Sequence, residues 1–161
     1  MTFKASLDRL AKGVTISVSI LFAIIIGVEV FIYWSKWQLS EILTSLFLIA
    51  VYLATYFYRP INYDLTDENL VIHRPFNNVI IKRKNIKSVK SIDKDQMKWT
   101  IRTLGVGGFF GYYGQFVNSQ LGNMTWYATR QDKTVLIETN DNKKLVVTPD
   151  EPEEFIKQLS V

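Results

Sequence analysis

The sequence contains no cysteine and only one histidine, His73, and each shortage excludes a class of chemistry. Without cysteine there is no disulfide framework, no thiolate nucleophile and no cysteine-ligated zinc or iron–sulfur site. One histidine provides no imidazole cluster for a metal, and no Asp/Glu pair stands beside it at an i, i+4 spacing. The chain also lacks a G-x-S-x-G nucleophile elbow. We therefore predict a protein that is not an enzyme, with no catalytic residues, no metal and no cofactor.

Apolar residues are concentrated in the first third of the 161-residue chain, and the remainder is polar and charged. This length suits one compact domain of about 100 residues plus an anchor. The apolar runs 13–34 and 39–58 are each about 20 residues long, which is enough to cross a bilayer as a helix. They do not fit a secretory signal peptide, whose apolar core is about 7 to 15 residues long. Because residues 35–38 allow only a tight turn, we predict a transmembrane helical hairpin.

Lys and Arg residues flank the two apolar runs more densely than they occupy the turn between them. Those before the first run and after the second are Lys4, Arg9, Lys12 and Arg59. The turn has only Lys36. Because positive residues favour the cytoplasmic side, the segment 1–12 and a domain over 60–161 are predicted to be cytoplasmic. The protein is thus predicted to be a multi-pass protein of the cell membrane with both termini inside.

Glu29 lies within the first apolar run. An ionisable group in hydrocarbon is by default a functional candidate, since its burial costs a few kcal/mol. Glu29 is only about five residues from the Trp34 end of the run, so its side chain can also reach interfacial water. A role in proton transfer or partner binding is the alternative. A transport or channel function would depend on Glu29 alone and would require two spans to oligomerise.

After Pro60 the pattern changes from helical to alternating, which is typical of strands. Short segments rich in β-branched and aromatic residues are separated by polar turns. Strands are predicted at 61–66, 70–75, 79–83, 86–92, 125–130, 134–139 and 144–148. Short strands in such number indicate an antiparallel sandwich or barrel.

The last segment has the features of a helix start. An N-cap candidate, Thr148, is followed by two prolines and several acidic residues, which suit the first turn of a helix. Phe155, Ile156 and Leu159 then form a narrow apolar stripe. We predict one C-terminal helix that closes an open end of the barrel.

The strand order with its terminal helix, and the segments INYDLTDENLVI, GVGGFFGYYG and VTPDEPEEFIKQL, resemble bacterial pleckstrin-homology-like (PH-like) domains of membrane-anchored proteins. The resemblance covers about 60–161. It implies two antiparallel sheets packed across each other and plugged at one end by the helix. Eukaryotic PH domains that bind phosphoinositides place basic residues around the first hairpin turn, where this sequence has Asp67 and Glu68. Headgroup-specific lipid binding is therefore not expected.

The glycine-rich segment 105–114 has neither the Lys-Ser or Lys-Thr of a P-loop nor the G-x-G-x-x-G spacing of a dinucleotide site. It is notable instead for a dense group of rings. This aromatic segment consists of Phe109, Phe110, Tyr112, Tyr113 and Phe116. Such rings either fold back into the core or remain at a surface, where they meet the membrane interface or a partner. Both outcomes are open at this point.

Eight Lys or Arg residues stand between positions 82 and 102, against two Asp residues. The candidate contact residues for lipid or a partner are Lys82, Arg83, Lys84, Lys87 and Lys90. A solvated strand face and contact with an anionic leaflet are both open, and near a leaflet each such residue contributes about 1 kcal/mol. A nucleic-acid partner is not predicted, because the aromatic residues are not interleaved with the lysines.

Two classes of function remain. The preferred one is a non-catalytic module that recruits or scaffolds a protein or peptide at the inner face of the membrane, because a PH-like sheet edge can accept an added strand. The alternative is a module that senses the charge of anionic lipid without headgroup specificity. The membrane bilayer is a predicted partner in either case, and the sequence leaves a homo-oligomer open.

Overall fold

The structure is a computed structural model that describes residues 1–33, 39–93 and 95–160. Its two longest helices are α1 (Arg9–Tyr33) and α2 (Leu39–Tyr58), and both are long and apolar enough to cross a membrane. Two long apolar helices were predicted at 13–34 and 39–58, but α1 begins four residues earlier, at Arg9, within the predicted N-terminal segment. The tight turn predicted between them, together with Trp34 at the end of the first run, lies outside the described residues.

A four-stranded antiparallel sheet has the order β1-β2-β3-β4. Its strands are β1 (Thr2–Lys4), β2 (Asn62–Leu65), β3 (Asn69–His73) and β4 (Val79–Lys82). The burial of β2 and β3 alternates along the chain, as expected for strands with one face on a core. A single 3-10 turn, Arg83–Asn85, connects β4 to the second sheet.

The second sheet has six strands in the order β5-β9-β10-β8-β7-β6. They are β5 (Ile86–Ile92), β6 (Ile101–Gly107), β7 (Tyr112–Asn118), β8 (Gly122–Ala128), β9 (Thr134–Thr139) and β10 (Lys144–Val147). The prediction of a wholly antiparallel arrangement was wrong at one pair, because β10 is parallel to β8. The cause is topological, because β10 lies between β9 and β8 in the sheet. It forms an antiparallel hairpin with β9, and this reversal makes it run in the same direction as β8.

The N-terminal segment is part of the β-rich domain. β1 pairs with β2 in an antiparallel register that places Phe3 opposite Tyr63. Phe3 is almost fully buried, and its ring meets that of Phe155 edge-on at 5.2 Å. The prediction that 1–12 is a separate segment and that the domain begins at Pro60 therefore missed a strand. The two long helices are inserted between the first and second strands of one sheet.

The C-terminal helix α3 (Pro152–Leu159) closes the core between the two sheets. Phe155 and Leu159 are buried and Ile156 is half-buried, so the predicted apolar stripe is confirmed. The N-cap prediction was wrong: the residue at the N-cap position of α3 is Glu151, which makes no capping hydrogen bond through its side chain. Thr148 is instead buried, where its hydroxyl oxygen accepts the N–H of Thr129 at 2.9 Å.

The opposite face of the six-stranded sheet has a second core. Its members include Phe116, Met124 and Trp126, and it is covered in part by Ala11 from the first turn of α1. The indole of Trp126 stacks on Phe116 with ring centres 4.5 Å apart. Each face of this sheet therefore carries a core, and the second core packs against the start of α1.

Three of the strands were not predicted: β1, β6 and β7. The other seven lie within a few residues of their predicted positions. The order of two long apolar helices, mostly β-structure and a C-terminal helix agrees with a PH-like fold.

Candidate functional site

The predicted basic residues lie along one edge of the domain. Lys82 ends β4, Arg83 and Lys84 form the 3-10 turn, and Lys87 and Lys90 stand on β5. Lys82, Lys84, Lys87 and Lys90 are exposed, whereas Arg83 is half-buried. The five residues thus follow one another along one stretch of chain, from the end of β4 through the turn to β5, which we call the basic strip.

Beside this strip is an open groove of about 700 Å³ between β5 and the end of α3, which we call the β5–α3 groove. Lys84 and Lys87 line it together with Ile86, Val89 and Leu159. The lysines were predicted as contact residues, but the three apolar residues were not. The signal for Ile86 and Val89 was present, since both were apolar positions of a predicted strand, but Leu159 reaches the groove only through tertiary packing.

Arg83 has a structural role at the groove. Its guanidinium donates hydrogen bonds to the carbonyl oxygen of Thr66, at 3.2 Å, and to that of Gln158. It thereby joins the turn after β2 to the last turn of α3. The Gln158 carbonyl is among the last four of α3, which have no partner within the helix, and the charge of Arg83 is favourable at that end.

The lysines of the strip differ in their acidic neighbours. Lys90 lies 3.9 Å from Glu138, which also accepts a hydrogen bond from the Ser88 hydroxyl at 3.4 Å. Within the described part of the chain, Lys84 and Lys87 have no carboxylate within 4 Å. These two lysines therefore present the least compensated positive charge at the groove.

The β5–α3 groove opens at the end of the domain that is remote from the helix pair. β2 leads away from the end of α2, and an extended chain from Pro60 to Thr66 covers about 20 Å. β1 runs antiparallel to β2, so its Lys4 end, which leads to α1, lies at the same near end as Asn62. Arg83 bonds to Thr66 at the far end.

The predicted aromatic segment lies at the opposite end, in the hairpin formed by β6 and β7. The turn of this hairpin packs on both long helices: the ring of Phe109 contacts Phe22 of α1 at 6.1 Å and Tyr52 of α2 at 5.6 Å. Phe110 contacts Tyr52 at 5.3 Å and Tyr56 at 5.6 Å, and it is 6% exposed. These rings connect the domain to the helices.

The remaining rings of the aromatic segment are also buried. Tyr112 and Phe116 belong to the second core. The Tyr113 hydroxyl donates a hydrogen bond to the carbonyl oxygen of Thr55 in α2, and burial raises the pKa of Tyr113, although the nearby Arg59 guanidinium acts in the opposite direction. The sequence left two outcomes open for these rings, the core or a surface. In the structure they pack within the molecule.

Glu29 is half-buried between the two long helices. Its Oε2 accepts a hydrogen bond of 2.5 Å from the hydroxyl of Ser45 in α2. A buried carboxylate needs such a donor, because an unpartnered one would be strongly destabilised. The contact joins the helices, and a proton-transfer role for Glu29 stays a prediction.

His73 pairs with Asp64 across β2 and β3, with 2.7 Å between Nε2 and Oδ2. The side chain of Thr2, which lies opposite Asp64 on β1, is the main cause of the lowered pKa of Asp64, and His73 acts in the same direction. Across residues 1–33, 39–93 and 95–160, no three His, Asp or Glu side chains are grouped so as to hold a metal.

The family model described as the bacterial PH domain matches residues 61–161, which is more than half of the chain. No curated protein and no solved structure matches. The matched region begins after α2, although β1 completes the same sheet from the other side of the helix pair. On this match, and with two sheets closed by a C-terminal helix, the chain belongs to the bacterial PH domain family.

Proposed function

We propose that this protein is a membrane-anchored, non-catalytic PH-like module that recruits a protein partner by binding an extended acidic segment in the β5–α3 groove. The domain lies on the cytoplasmic side in this proposal, and the groove faces away from the membrane. The observation that carries the proposal is that a sheet edge, a groove and two lysines with no described carboxylate within 4 Å coincide at one place.

Membrane anchoring is supported by the length and composition of α1 and α2. The 25 residues of α1 span about 37 Å and the 20 residues of α2 about 30 Å, close to the thickness of a hydrocarbon core. Extraction of membranes with alkaline carbonate tests this part, because a spanning hairpin stays in the pellet. A protein released into the supernatant would contradict the anchor.

The edge position of β5 supports recognition of an extended segment. β5 pairs with β9 on one side and is the last strand of its sheet. Edge strands present backbone N–H and C=O groups that another chain can pair with, and this is a common mode of peptide binding. The half-buried Ile86 and Val89 supply apolar contacts beside the backbone.

The charge of the groove supports an acidic partner. Lys84 and Lys87 are exposed there, and they outnumber Asp67, the acidic residue among the described lining residues. Positive charge at a rim raises the association rate with acidic segments and selects against basic ones. The groove is remote from the helix pair, and therefore from the membrane that the helices would cross. This position favours a protein ligand over a membrane lipid.

A peptide selection tests the proposal. The full-length protein in mild detergent is used to select binders from a random peptide display library, and the strongest peptide is measured by fluorescence polarisation. Selected peptides should be rich in Asp and Glu and should show alternating sensitivity to proline, because every second backbone N–H pairs with β5. The double substitution Lys84→Gln and Lys87→Gln should weaken binding at least about fivefold.

The double substitution Lys98→Gln and Arg102→Gln is the matched control for charge, since it also removes two cations and both residues are exposed outside the groove. This variant should bind the selected peptide as the unchanged protein does. Failure to select any peptide, or equal loss in the control and in the variant Lys84→Gln, Lys87→Gln, would overturn recognition at this groove.

The alternative function, sensing of anionic lipid by the same lysines, has a distinct outcome. The variant Lys84→Gln, Lys87→Gln would then lose binding to vesicles of phosphatidylglycerol, and the loss would be reproduced by high salt because exposed charges are screened. A peptide effect without a vesicle effect supports the partner function.

A further inference from the structure

A second groove lies at the opposite end of the domain, between α2 and the six-stranded sheet, and we call it the α2–sheet groove. Its volume is about 380 Å³, in the lower part of the range of small-ligand sites. One wall is formed by Ala54 and Tyr58 from the last two turns of α2, and the other by Leu104, Tyr113 and Tyr127 of the sheet. The lining is mostly apolar or aromatic.

Two glycines leave space in this groove. Gly105 of β6 and Gly114 of β7 are paired across the hairpin, and both line the groove with φ near +120°. A Cβ on Gly105 would overlap the carbonyl oxygen of Tyr113, and one on Gly114 would overlap that of Leu104. Only glycine fits such an approach of two backbones, so this part of the floor carries no side chains.

Arg74 is the charged residue of the lining. Its guanidinium lies 5.4 Å from the ring centre of Tyr58 and 5.7 Å from that of Tyr127, and it donates hydrogen bonds to Asn77. Among the residues that the structure describes, no carboxylate lies within 4 Å of Arg74. The positive charge is therefore held in place at the groove without being neutralised.

The α2–sheet groove lies beside the end of α2, where a spanning helix would leave the bilayer. Tyr58 is the last residue of α2, and aromatic residues are favoured where a spanning helix leaves the hydrocarbon. Exposed apolar side chains surround the groove: Leu104 is 72% exposed, and Phe76, which packs on Tyr58 at 5.7 Å, is 66% exposed. Apolar surface of this kind beside a membrane helix is suited to lipid contact.

We propose that the α2–sheet groove binds one anionic phospholipid from the leaflet next to the domain. Its acyl chain lies over the glycine floor between α2 and the sheet, and its phosphate pairs with Arg74. The apolar slot suits an acyl chain, and the cation of Arg74 suits a phosphate. Both lie beside the end of α2, where the headgroups of the leaflet are expected. The proposal relies on the membrane anchor of the proposed function but not on the partner groove.

Native mass spectrometry of the full-length protein tests this site. The protein in a mild nonionic detergent is mixed with equal amounts of dioleoyl-phosphatidylglycerol and dioleoyl-phosphatidylcholine. One phosphatidylglycerol should be retained in about fivefold preference over phosphatidylcholine, which is the factor expected for one cation close to an anionic lipid. Equal retention of the two lipids would overturn the proposal.

Two substitutions separate the parts of the site. Arg74→Gln should reduce the preference to about one, since it removes the charge from the groove. Leu104→Trp should lower retention of both lipids, because a larger ring occupies the slot. Arg102→Gln is the matched control for Arg74→Gln, since Arg102 is an exposed arginine of β6 that does not line the groove. A preference retained by Arg74→Gln, or lost equally by Arg102→Gln, would contradict the assignment.

The outcome is distinguishable from failure of the proposed function. Arg74→Gln should leave the selected acidic peptide bound as before, and the variant Lys84→Gln, Lys87→Gln should leave the lipid preference unchanged. Loss of the lipid preference on substitution of Lys84 and Lys87 would place the lipid at the β5–α3 groove and would contradict the α2–sheet site.

Discussion

The two edges of the six-stranded sheet differ in ways that follow from their distance to the helix pair. The β5 edge is remote from the helices, carries lysines and lies beside α3. The β6 edge leads into the hairpin that packs on α1 and α2, and it is rich in glycine and exposed apolar residues. One sheet therefore presents charge where it faces water and apolar surface where it meets the helices. Each edge can be altered without touching the other.

The largest effect is expected at the β6 edge, from Gly105→Val. The new side chain would overlap the backbone of β7, and Gly105 also has a positive φ that β-branched residues adopt at high cost. We expect a loss of more than about 4 kcal/mol in the free energy of unfolding, because the hairpin cannot relieve the overlap locally. Thermal melting of the full chain in detergent measures it.

Gly122→Ala is the control for this prediction. Gly122 also has a positive φ, but a Cβ there meets nothing within 4 Å. The loss should be about 1 kcal/mol, the cost of the backbone conformation alone. Similar losses in the two variants would show that backbone conformation, and not the close approach of two strands, determines the requirement for Gly105.

The next largest effect is expected at the other end, from Phe155→Ala in α3. Phe155 is fully buried and meets the rings of Phe3 at 5.2 Å and Tyr63 at 6.0 Å. Its removal should cost about 3 to 4 kcal/mol, which is typical of a buried phenylalanine. The melting temperature measures the loss. Trp99→Ala is the control, since Trp99 is 85% exposed, and it should change stability by less than about 0.5 kcal/mol.

A third effect should appear at high pH, in the core between the two sheets. Burial raises the pKa of Tyr63 to about 12, and its hydroxyl donates a hydrogen bond of 2.6 Å to the carbonyl oxygen of Tyr127. The unfolded chain loses this proton near pH 10, whereas the folded chain keeps it until about pH 12. Tyr63 therefore contributes stability that is complete below pH 10 and is lost between pH 10 and 12.

The size of this alkaline loss is about 2 to 3 kcal/mol for two pKa units. Melting temperatures of the unchanged protein and of Tyr63→Phe, measured from pH 8 to 12, test the attribution. The variant should be less stable at pH 8, since the hydrogen bond is absent, but its stability should fall less steeply above pH 10. Parallel curves for the two proteins would assign the alkaline loss to other groups.

The smallest effect is expected outside both sheet edges, between the two long helices. Ser45→Ala removes the donor to Glu29 and should cost about 0.6 kcal/mol, the average for hydrogen bonds between membrane helices. Ser40→Ala is the control, because Ser40 is exposed at the start of α2. A much larger loss in cellular function than in melting temperature would favour a proton-transfer role for Glu29 over a structural one.

The sequence alone predicted those elements whose signal is local. Two apolar runs of about 20 residues predict long helices wherever the chain places them, and the alternation in segments such as 134–139 predicts strands from neighbouring residues alone. The acidic, proline-containing start of α3 and its stripe through Phe155 have the same local character. The basic strip was likewise visible, because five cations fall within nine positions.

Only the tertiary structure decided the features that depend on a partner distant in sequence. β1 is three residues long and is a strand because β2, beyond both helices, pairs with it. β6 and β7 have four glycines at positive φ in and around their turn, which obscures the strand pattern, and their pairing holds them extended. Chain topology decides which edge of the sheet lies beside the helices. It also brings Arg74 to Tyr58. Local propensity contains no information on such contacts, because their free energy arises only when separate segments bury surface together.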